Sequence, residues 1–104
     1  MTTNQKGGGN KAVMYLKANK TSFVNLLCKH GYKPTVRRAK LDKLFRARTW
    51  WLRWKQSQGQ YEASISVAAG KPFMRIKGPD DLDEIIHLDI AELKKFGMVE
   101  VKMA

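Results

Sequence analysis

Three successive stretches of this chain alternate apolar and polar residues, and that alternation admits little besides an antiparallel sheet. Over residues 49–55, Trp50, Leu52 and Trp54 fall on one side, and Trp51, Arg53 and Lys55 on the other. As a helix, the segment running into these residues would scatter its apolar side chains in every direction. Gln56-Ser57-Gln58-Gly59 reads as a hairpin loop, after which Tyr61, Ala63, Ile65 and Val67 alternate with Glu62, Ser64 and Ser66. Ala69-Gly70-Lys71-Pro72 reads as the next turn. Residues 73–77 then return with Met74 and Ile76 on one side and Phe73, Arg75 and Lys77 on the other. Connections this short join antiparallel neighbours. The apolar sides together supply a core of Trp50, Leu52, Trp54, Tyr61, Ile65, Val67, Met74 and Ile76.

Helices are expected before and after this meander. Asn19 or Thr21 can cap one whose face holds Phe23, Leu26, Leu27 and His30, with Gly31 as its left-handed stop. Cys28 lies among these apolar residues and is expected to be a buried, inert thiol. The spacing of Leu41, Leu44 and Phe45 predicts a second, basic helix over residues 38–45, and helix, glycine turn and basic helix follow in helix-turn-helix order. A long third helix is expected to open at Pro79-Asp80-Asp81. Asp80, Asp81, Asp83 and Glu84 fill its first turn, Lys94 and Lys95 its last, and Gly97 follows. Its buried stripe would be Leu82, Ile85, Ile86, Ile90, Leu93 and Phe96, with Leu88 off the stripe and a break near His87 left open. Short strands are expected over residues 13–17 and 98–103. The class is therefore α+β: one domain over residues 12–104, an antiparallel β-sheet of 3–5 strands packed against two or three helices. Residues 1–11, polar and glycine-rich, form an expected mobile tail. The order of elements is similar to the double-wing domain of a phage transcription activator, although no diagnostic string carries that similarity.

Charge is unevenly distributed along the chain. Residues 1–55 hold fourteen Lys or Arg and one acid, Asp42, whereas residues 56–104 hold six basic and eight acidic residues. Such asymmetry predicts an electropositive face that attracts a polyanion. The only cysteine excludes an internal disulfide and suits a reducing compartment, and no apolar run reaches membrane-spanning length. A polar N-terminus without an apolar segment behind it is expected not to be a secretory signal, so a cytoplasmic protein without membrane contact is expected.

The candidate binding residues follow from charge and strand register together. Arg37, Arg38, Lys40, Lys43, Arg46 and Arg48 form a basic run, and Trp51, Arg53, Lys55, Phe73, Arg75 and Lys77 share the polar side of the strands. Two rings among cations form a stacking platform for single-stranded nucleic acid, and the basic run suits a duplex groove. The competing structural reading packs Trp51 or Phe73 beneath a loop or the N-terminal strand. The expected function is a small basic nucleic-acid-binding protein without a cofactor, DNA favoured over RNA and single- or double-stranded, of the kind a phage or mobile element uses as a regulator. The alternative partner is an acidic protein surface. Pro79-Asp80 followed by Glu100-Val101-Lys102 resembles the PD-(D/E)xK nuclease signature, which implies Mg²⁺ held by Asp80 and Glu100 with Lys102 assisting water. That family sets its acids on adjacent strands, whereas Asp80 is expected to open a helix. No nucleophile, base and orienting group stand out together, and Cys28, His30 and His87 do not make a zinc site.

Overall fold

A computed structural model describes residues 12–43, 49–57 and 59–103. The expected tail, Leu44, Phe45, Arg46 and Arg48 lie outside them. The order is β1 (Ala12–Leu16), α1 (Lys20–Lys29), β2 (Lys40–Lys43), β3 (Trp50–Gln56), β4 (Gly59–Ala68), β5 (Lys71–Lys77), β6 (Asp83–His87), α2 (Ile90–Lys95) and β7 (Val99–Met103). Strands β2 to β6 form one antiparallel five-stranded meander, and β1 pairs with β7 in a separate two-stranded sheet. The α+β class with an antiparallel sheet holds, with two helices among the described residues.

The central hairpins follow the sequence pattern. Trp50, Leu52 and Trp54 of β3 stand opposite Ile65, Ala63 and Tyr61 of β4. Gln56 pairs with Gly59 across a two-residue connection in which Ser57 takes a φ of 53°. The β4–β5 turn is Ala69-Gly70 alone, with φ of 52° and 74°, so Ala68 pairs with Lys71 and Pro72 belongs to β5. Positive φ at both positions matches the right-handed twist of the flanking strands. Helix α1 begins as a capping box: the Asn19 side chain accepts from the Ser22 N–H at 2.8 Å, and Ser22 Oγ accepts from the Asn19 N–H at 3.2 Å.

Two expected helical segments are strands instead. Residues 36–38 form a turn and Lys40–Lys43 runs as β2 along the edge of β3, with Leu41 opposite Leu52. Four residues are too few for apolar spacing to separate helix from strand. Here the strand wins because it supplies hydrogen bonds to β3 while Leu41 packs against the core. The helix-turn-helix reading falls with it. The long helix from Asp80 is also absent. Asp80 and Asp81 take φ of 59° and 60°, a left-handed conformation that cannot start a right-handed helix. The turn closes through Gly78 N–H to Leu82 O at 3.1 Å and returns the chain as β6, paired with β5. Only residues 90–95 are helical, capped by Asp89, whose side chain accepts from the Ala91 N–H at 2.9 Å.

The expected stripe changes accordingly. Leu88, placed off it, is 7% exposed, while Ile85, placed on it, is 55% exposed and Ile90 37%. The core gathers Phe23, Val24, Leu26 and Leu27 of α1 against Leu52, Trp54, Ala63, Ile65, Met74 and Ile76 of the sheet, with Leu93, Met98 and Val99 joining from the C-terminal segment. Trp50 and Tyr61 pack against that core while partly exposed, and Val67 is also partly exposed. Cys28 is exposed, contrary to expectation, because it lies beyond the buried face of α1. Both helices therefore contribute to one face of the sheet, and the polar side chains of β3 and β5 point away from it.

Candidate functional site

The strand register fixes the outer face row by row, because directly paired residues point to the same side of an antiparallel sheet. Lys40, Arg53, Glu62, Lys77 and Asp83 make one row across β2 to β6. Asp42, Trp51, Ser64, Arg75 and Ile85 make the next, and Ser66, Phe73 and His87 make a third row beyond it. Lys55 extends the first side, opposite Gln60. The six residues expected on this face from β3 and β5 are all there.

Trp51 and Phe73 are both partly exposed, and neither is among the hydrophobic residues packed against the core. They lie two strands and one row apart, which strand geometry converts to about 12 Å between backbones. Ser64 and Ser66 of β4 lie between them, and the Thr49 and Ser66 hydroxyls are 3.0 Å apart. The result is two aromatic posts above a low hydroxyl floor.

The cations around these posts are not equivalent. Arg75 donates to both carboxylate oxygens of Asp83, at 2.9 and 2.7 Å. That bidentate bond holds the Asp83 carboxyl below its usual range, with Lys77 adding a smaller pull, and raises Arg75 further. Arg53 is paired with Asp42 across the β2–β3 edge. Lys40, Lys55 and Lys77 have no such carboxylate bond among the described residues. Of the basic run, Arg37 and Arg38 are exposed in the turn before β2, Lys40 begins that strand, and Lys43 ends it opposite Trp50. Free positive charge is thus concentrated toward β2 and β3, while alternating signs balance the β6 side. The serines and Glu62 were visible as the polar residues of β4, but Asp83 and His87 could not be placed on this face while they were assigned to a helix.

The inner face carries a second aromatic group. Trp54 stacks on Tyr61 at 5.4 Å and 19°, and the Tyr32 ring meets both edge-on at 6.2 and 6.3 Å. Tyr32 donates its hydroxyl to Glu84. Burial first, and then this bond, push the Tyr32 hydroxyl up to about 12. At the end of α1, Lys29 is paired with Glu92, and His30 Nε2 lies 3.4 Å from the same carboxylate. The Lys29 ammonium holds the Glu92 carboxyl down most strongly, and the neighbouring His30 adds to the lowering.

For the nuclease pattern, Asp80 sits in the β5–β6 turn, and Glu100 on β7 of the other sheet, opposite Tyr15. No group of three or more His, Cys, Asp or Glu residues that could hold a metal occurs among the described residues. None of their helices is long and apolar enough to cross a membrane. Comparisons with protein-family models, curated proteins and solved structures find no match to this chain.

Proposed function

We propose that the chain is a non-enzymatic nucleic-acid-binding protein that holds single strands on the outer face of its five-stranded sheet. The observation that carries this reading is the pair Trp51 and Phe73, left out of the core on the one sheet face that is rich in cations. Bases stack on the two rings, with the serine floor leaving room for them to lie flat. Lys40, Lys55 and Lys77 neutralise phosphates beside the rings. Arg53 and Arg75 contribute less, because Asp42 and Asp83 already bind them. Single strands are favoured over duplex because Lys40–Lys43, inside the groove-reading helix expected over residues 38–45, forms an edge strand.

The test is a salt-titrated binding series with single-stranded DNA, single-stranded RNA and duplex DNA. The single strands should bind with a log–log salt slope corresponding to about three to five phosphates. Trp51→Ala should weaken that binding about 5- to 100-fold with little change in slope, as expected of a stacked base. Absence of single-strand binding even at low salt would sink the reading and leave an acidic protein as the partner for this face.

A further inference from the structure

A cleft of about 470 Å³ opens beside the start of β2, where β3 runs on past their pairing, lined by Arg38, Lys40, Asp42, Arg53, Trp54, Lys55 and Gln60. Its cations come from three segments of the chain: the turn before β2, the start of β2, and β3. Lys40 and Arg53 are direct cross-strand partners, an arrangement of like charges that destabilises a sheet unless something relieves it. Asp42 bonds Arg53, and Glu62 lies opposite Arg53 on β4, but neither acid is bonded to Lys40. Arg38, Lys40 and Lys55 have no carboxylate partner among the described residues, and Lys55 faces only the neutral Gln60. The cleft is therefore a concave, positively charged site at the rim of the stacking face.

We infer that this cleft receives a phosphate monoester, such as the terminal phosphate of a nucleic-acid strand or the phosphate of a free nucleotide. An internal phosphodiester offers two free oxygens and continues as chain on both sides, which suits a flat surface. A monoester offers three acceptor oxygens and nearly two charges at neutral pH, and so can engage cations on several walls at once. The reading of the ligand as a strand end rests on the proposed nucleic-acid function; the cleft's affinity for a monoester does not.

The experiment compares oligothymidylates of one length carrying a 5′-phosphate, a 3′-phosphate or neither, together with free thymidine monophosphate followed by NMR. One phosphorylated end should bind about tenfold more tightly than the unphosphorylated strand, the effect of roughly one added charge-assisted hydrogen bond. Arg38→Gln should bring that ratio close to one. Lys77→Gln, across the sheet, should weaken all three strands and leave the ratio intact. Equal affinity for all three strands, or a preference that survives Arg38→Gln, overturns the inference while leaving the stacking face standing. If no strand binds but the mononucleotide shifts the Arg38 and Lys55 resonances, the cleft stands and the stacking face falls. If neither occurs, both fall.

Discussion

Three tryptophans within five residues have three environments, set by strand direction. Trp54 is 2% exposed, lies against Tyr61 and Tyr32, and donates its indole N–H to Gln56 Oε1 at 3.0 Å. Trp54→Ala should therefore cost about 3–5 kcal/mol in urea denaturation. Trp50, at the core margin, should cost less, and Trp51→Ala should change stability by under about 1 kcal/mol while impairing binding. This division was readable in the sequence because a period of two leaves no choice about which indole shares a side with Leu52. What the sequence could not supply was Tyr32, whose approach to Trp54 depends on how α1 lies over the sheet. Its raised hydroxyl value gives a pH dependence on the alkaline side. The folded state holds that proton more tightly than the unfolded chain, where tyrosine ionises near 10. Stability from this group is therefore complete below about pH 10 and is lost as pH rises toward about 12. Tyr32→Phe should flatten that decline in denaturation midpoints measured across the alkaline range.

At the level of elements, strands with both turns and alternation were legible, and short ones at the sheet edges were not. Leu41 with Leu44 and Phe45 fits a helical face, yet Lys40–Lys43 pairs with β3, since a neighbouring strand edge outweighs local spacing. Acids at positions 80–84 followed by Ile85-Ile86 read as a helix start for a similar reason, although the isoleucines favour a strand. Substitution at the turn separates the two readings sharply. In a helical first turn, Asp80→Gly would cost up to about 1 kcal/mol. In the left-handed turn at φ 59°, it should be neutral or stabilising by a few tenths of a kcal/mol, measured by thermal or urea unfolding. Helix α1, whose cap was legible, gives the opposite behaviour. Asn19→Ala removes the acceptor for the Ser22 N–H and should cost about 1 kcal/mol in the same assay.

Across the whole molecule, the positive first half and the acidic second half meet on one sheet. Strand β6 brings Asp83 beside β5, so an acid eight residues along the chain neutralises Arg75 on the candidate face and leaves the excess near β2 and β3. Stability and binding therefore compete for the same guanidinium. The folded Asp83 and Glu92 carboxyls lie below their unfolded values, so they contribute stability above about pH 4 that is lost as pH falls through the folded values. Asp83→Asn should reduce that acid-side loss, because one of the two depressed carboxylates is gone. It should also release Arg75 toward the ligand, tightening binding to single strands a few-fold and steepening the salt slope by about one phosphate. Arg75→Gln in the same background should return both quantities to the parental values. If Asp83→Asn leaves the slope unchanged, Arg75 lies off the path of the phosphate backbone, and the strand runs instead along Lys40, Lys55 and the cleft beside them.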